Sequence, residues 1–179
     1  MLDFDRLTQD IAAAAERALQ EAVAHSGAPL AGFALCSDAG AMEVSPAFNT
    51  WAHLQQQVDD DPQDAVYYRW SPGEWGLESF GVAHFRAINQ RVRQAVAEEV
   101  SPQRFVEFRA RLFQACVAAL TRVRQQPRFA SALRGAAVVF TVCDMEDAPA
   151  EKAWIEALNT PQDAQEFKRW VDALPTRGS

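Results

Sequence analysis

The run Ala136-Ala137-Val138-Val139-Phe140-Thr141-Val142-Cys143 is apolar at nearly every position, so a strand made from it shows hydrophobic groups on both faces. Such a strand needs cover above and below, which predicts a place at the centre of a sheet with helices on either side. Two further apolar stretches, Leu30 to Ser37 and Met42 to Phe48, are joined by the turn signal Asp38-Ala39-Gly40 and read as an antiparallel pair. Pro46 inside the second marks it as an edge strand or shortens it.

The remaining periodicity is helical. Residues 3–25 place Leu7, Ile11, Ala14, Ala15 and Ala18 on one stripe, and Gly27 followed by Pro29 ends the helix. Asn49 or Thr50 caps a short helix to about Val58. From Glu78 onward, Phe85, Ile88, Val92 and Val96 make one helix face. Ser101-Pro102 opens a second helix, striped by Phe108, Leu112, Cys116 and Val123, and a short linker predicts that the two pack as an antiparallel hairpin. Pro127 opens a short helix, Pro149 another with Trp154, Ile155 and Leu158, and Thr160-Pro161 a last one with Phe167 and Trp170. The expected fold class is α+β: a small antiparallel or mixed sheet of three to four strands packed by about six helices. A chain of 179 residues reads as one domain, 1–179, with a frayed tail from about 175.

The densest local signal is Tyr67-Tyr68-Arg69-Trp70-Ser71-Pro72-Gly73-Glu74-Trp75-Gly76-Leu77-Glu78, which holds four of the seven Trp and Tyr residues. Ser71, Pro72 and Glu74 have the spacing of a capped helix start. With Ala65–Trp70 read as a strand and a short helical turn after it, the segment predicts a sharp corner. Asp59-Asp60-Asp61-Pro62-Gln63-Asp64, just before it, reads as an exposed loop; it lacks the alternation, central Gly and terminal Glu of a calcium loop.

Charge is divided along the chain. The net −7 comprises −10 over residues 1–78 (three Arg against thirteen acids), +7 over 79–135 (ten Arg against three Glu) and −4 over 136–179 (four bases against eight acids). Internal ion pairs between the acidic front and the arginine-rich middle are the first reading, and two surfaces of opposite sign the second. An overall pI near 4.9 argues against free nucleic acid as ligand.

Catalytic patterns are missing. His25, His53 and His84 lie on separate segments, and no metal spacing, nucleophile elbow or phosphate loop occurs. No metal or cofactor is expected. Cys36, Cys116 and Cys143 sit in apolar runs and read as buried free thiols. An acidic N-terminus and the lack of a long apolar run predict a cytoplasmic protein that avoids membranes. Trp70 reads as core. Trp75 reads either as a core indole or as an exposed anchor within an acidic rim, the make-up of a surface that binds a basic protein partner.

Phe33-Ala34-Leu35 with the Asp38 turn, Asn49-Thr50, the Arg69-Trp70-Ser71-Pro72-Gly73-Glu74-Trp75 corner, Val138-Val139-Phe140 and Leu158-Asn159 together resemble the bacterial domain-of-unknown-function family 4303. The S-P-x-E-W corner is the most specific part. Small bacterial families of this kind include immunity proteins that bind and block secreted toxins. The resemblance therefore implies a non-enzymatic cytoplasmic protein that neutralises an antibacterial effector. Its expected contact surface is Asp59, Asp60, Asp61, Asp64, Glu74, Trp75 and Glu78, with no catalytic residue. Two other readings stand beside it: a small hydrolase or transferase using a Glu74/Glu78 carboxylate pair around a pocket floored by Trp70, and a self-associating scaffold.

Overall fold

A computed structural model describes residues 2–27, 29–98, 101–145 and 147–174. Helix α1 (Phe4–Ser26) starts where the Asp3 carboxylate accepts the Asp5 and Arg6 N–H groups, and it stops at Gly27, whose φ is 79°. Strands β1 (Leu30–Asp38) and β2 (Val44–Thr50) form the expected antiparallel pair. Thr50 then caps α2 (Trp51–Asp60) through the His53 N–H. After α3 (Ala65–Trp70) come the two-residue strand β3 (Leu77–Glu78) and the helices α4 (Arg86–Ala97) and α5 (Pro102–Arg124). Strand β4 (Ala137–Cys143), α6 (Ala148–Leu158) and α7 (Pro161–Ala173) complete the described chain. The result is an α+β fold, a four-stranded mixed sheet packed by seven α-helices among the described residues. None of those helices is long and apolar enough to cross a membrane.

The sheet order is β3-β2-β1-β4, with β4 parallel to β1. On one face Phe33, Leu35, Phe48, Val138 and Phe140 pack against α1 and α5, and the Phe33 and Phe48 rings stack at 5.2 Å. The other face is lined by small residues, Ala34, Ala47 and Ala137, which leave room for the bulk of Trp70, Trp75, Ile155 and Phe167. Large side chains on one layer thus meet small ones on the next, and the aromatic corner is drawn onto the sheet.

Several expectations are corrected. Strand β4 is at the sheet edge, not its centre: its two apolar faces report cover above and below, and carry no information about lateral neighbours. The edge is closed by Asn159, whose Oδ1 accepts from the Val138 N–H at 2.9 Å while its Nδ2 donates to the Val138 carbonyl at 2.7 Å. Asn89 does the same for Val44 of β2, at 2.9 and 3.0 Å, where β3 is too short to reach. Pro46 also lies beyond β3, opposite Leu35. Residues 65–70 form a helix because Val66 and Trp70, four apart, share its buried side; six residues fit either period, and packing decides. The aspartate run is no loop, since Asp59 and Asp60 end α2 and Pro62–Asp64 makes a 3-10 turn started by the Asp61 carboxylate. Helix α5 packs along α1 instead of forming a hairpin with α4. Cys116 is buried, Cys36 half-buried and Cys143 exposed. The frayed tail expected from about 175 lies outside the described residues.

Candidate functional site

Ser71 does not cap a helix, and Glu74 does not close a capping box, because Pro72–Glu74 is only a single 3-10 turn. The turn is fixed by other means. The Glu74 carbonyl accepts from His53 Nε2 at 3.0 Å and from Gln57 Nε2 at 2.9 Å, which ties it to α2. Its carboxylate is left facing outward, where Oε1 accepts the Tyr67 O–H at 2.6 Å. One residue on, Trp75 turns inward and is only 4% exposed. Its indole lies on β1, where a Cβ added at Gly32 would stand 2.7 Å from two ring carbons, and its Nε1 donates to the Tyr68 carbonyl at 3.1 Å. Trp75 is therefore a core residue and not a surface anchor. A bare glycine in the facing strand makes the space that takes it.

Trp70 is in the core, as read. Its Nε1 donates to Glu166 Oε2 at 3.0 Å, and Arg69 reaches Glu166 at 2.5 Å and Asp163 at 2.7 Å, so α3 is latched to α7. Burial works to raise the Asp163 carboxyl, but the Thr160 hydroxyl and the Arg69 guanidinium outweigh it and hold the group below its ordinary value. None of Arg69, Asp163 and Glu166 was a predicted site residue. Their pairing across the length of the chain leaves no local pattern.

The latched helix carries Tyr67 and Tyr68, with ring centroids 5.5 Å apart. The hydrogen bond to Glu74 pushes the Tyr67 hydroxyl up to about 12, helped by burial and by the charges of Glu74 and Asp64. Burial also raises the Tyr68 hydroxyl, together with Asp61, Asp64, Glu74 and Asp60. These four acids thus converge on one pair of phenols. Among the described residues none of them is in a salt bridge. Asp59 stands apart, accepting from Gln55 on α2 at 2.8 Å. Glu78 is also separate: it sits in β3 opposite Ala47, and its charge is felt by Cys36 and Cys143.

Beside the tyrosines a cleft of about 300 Å³ opens onto the small-residue face of the sheet. Trp70, Val139, Ile155 and Phe167 line it from the core. Tyr67 and Trp170, with centroids 6.2 Å apart, line it from α3 and α7, and Gly73 and Glu74 from the turn. Glu78 is not among its lining residues, so the two glutamates do not share this cleft. Trp70 and Glu74 were expected to line a pocket and both line this cleft, but the contributions of β4, α6 and α7 left no local pattern. The spacing of Phe167 and Trp170 on one face of the last helix was the only trace of its far wall.

The histidines are spread out: His53 is bound to Glu74, His84 Nε2 lies 2.8 Å from Glu21 Oε1, and His25 rests on the Phe80 ring. Among the described residues no three His, Cys, Asp or Glu side chains are placed to hold a metal ion.

No curated protein and no solved structure matches this chain. The family model described as "Domain of unknown function (DUF4303)" matches residues 7–160, from the first helix through the Asn159 that closes the β4 edge. That span is most of the sequence and includes the whole sheet and the aromatic corner, and the chain belongs to the DUF4303 family.

Proposed function

We propose that this protein is a non-enzymatic cytoplasmic binding protein, an immunity protein that captures and neutralises an antibacterial effector. The observation that carries the reading is the surface formed by Asp60, Asp61, Asp64 and Glu74 around Tyr67 and Tyr68. Two of the ten arginines of the middle segment pair with acids on α1, Arg91 with Asp10 and Arg128 with Glu16, and neither reaches this surface. Among the described residues the carboxylates of Asp60, Asp61, Asp64 and Glu74 meet no cationic side chain, and their charge suits a basic surface such as the substrate-binding cleft of a toxin. The toxin itself enters by analogy with other small bacterial families. The Glu74/Glu78 hydrolase reading draws no support from the geometry, since Glu74 is bound to Tyr67 and Glu78 lies off the cleft.

The test is calorimetric titration of the full chain with the product of the adjacent gene. Reversing Asp60, Asp61 and Asp64 to Lys is expected to weaken binding at least tenfold while the circular dichroism spectrum stays unchanged. Full affinity in the triple variant removes this surface, and no binding by the wild type removes the assigned partner.

A further inference from the structure

Resting on the reading of this surface as a binding site, we infer that the cleft between α3 and α7 receives one apolar side chain of the partner, and that Glu74 with the neighbouring aspartates holds an arginine next to it. At about 300 Å³ the cleft is at the lower limit of those that enclose small ligands, so it suits a single side chain better than a metabolite. Its core lining of Trp70, Val139, Ile155 and Phe167 offers apolar contact and no charge.

Two carboxylates line the cleft, Glu74 from the turn and Glu151 from α6. Tyr67 holds only one of the Glu74 carboxylate oxygens; among the described residues the other makes no hydrogen bond. Asp61 and Asp64 lie close enough to act on Tyr68. A cation bound here meets carboxylates and two half-buried phenol rings together. A planar guanidinium can pair with the first and stack on the second, whereas an ammonium is a compact hydrated point charge. The recognised element is thus an apolar residue beside an arginine on a protein chain.

The probes are the capped dipeptides N-acetyl-Phe-Arg-amide, N-acetyl-Phe-Glu-amide and N-acetyl-Gly-Arg-amide, titrated into the full chain while indole N–H signals are followed by NMR. The expected result is saturable movement of the Trp70 and Trp170 signals by Phe-Arg, at least tenfold tighter than by either other peptide. Thr141→Trp, which adds bulk at a half-exposed cleft position, is expected to abolish the movement, and Glu74→Gln to bring Phe-Arg down to the level of Phe-Glu. Equal responses to all three peptides, no saturable response, or unchanged binding in a folded Thr141→Trp variant overturns the inference. If that variant does not fold, the peptide series on the wild type decides. An effector that binds Thr141→Trp normally but not the aspartate triple variant leaves the proposed function standing and removes the cleft from it. Dipeptide binding in a protein that ignores every candidate effector does the reverse.

Discussion

Tyr67 ties the acidic surface to the cleft, since its hydroxyl donates to Glu74 while its ring faces Trp170. The bond has a pH signature. The folded state keeps the Tyr67 proton up to about 12, above the ordinary 10.0, so the unfolded chain releases it first as the pH rises. The stability from this group is complete below about 10 and is lost as the pH climbs through about 12. Tyr67 and Tyr68 are the only tyrosines in the chain, so an ultraviolet titration of phenolate reads the corner alone. Both midpoints are expected above 10 in the wild type, and Glu74→Gln is expected to bring one of them down towards 10. Two ordinary midpoints in the wild type would contradict the described geometry. At this scale four of the six acids read together from the sequence, Asp60, Asp61, Asp64 and Glu74, act on Tyr68, while Asp59 and Glu78 stand apart. The sequence could not reveal the fate of Trp75, which depends on the absence of a side chain at Gly32 in a distant strand.

Among the elements, the sheet depends on two asparagines where further strands would otherwise pair. Asn159 and Asn89 each offer a side-chain amide that copies the donor and acceptor of a neighbouring strand, and both are buried. Truncating Asn159 leaves the N–H and C=O of Val138 without these partners. Asn159→Ala is therefore expected to cost about 2–3 kcal/mol in urea denaturation. A loss below about 0.5 kcal/mol would mean that water or a shift of α6 satisfies the edge instead. The same edge explains a misreading. An apolar run predicts cover, which helices and an amide supply to β4 as fully as flanking strands would, so centre and edge look alike in sequence. Helices α1, α5, α6 and α7 were legible because each is long enough for its period to repeat or begins with a recognisable cap. The six residues of α3 and the two of β3 are too short for that, and the corner between them took its shape from packing.

Across the whole molecule, charge is sorted into two uses. The Arg91–Asp10 and Arg128–Glu16 pairs join the arginine-rich middle to α1, as the first reading of the charge division expected, and the surplus of acid collects around the tyrosines. These pairs are partly exposed, so each contributes at most about 1 kcal/mol. Salt should therefore separate folding from recognition. Between about 0.05 and 0.5 M salt the melting temperature is expected to move by no more than a few degrees, while the association rate with a basic effector falls about tenfold. A rate indifferent to salt in stopped-flow mixing would mean that capture does not run through this charge. Because the Trp75 indole fills the space above Gly32, the turn that bears Glu74 cannot lift from β1 without opening a void the size of a tryptophan. The proposed binding face is accordingly finished before any visitor arrives. A single methyl group placed on that strand, far below the surface, would blunt it as surely as damage to the face itself.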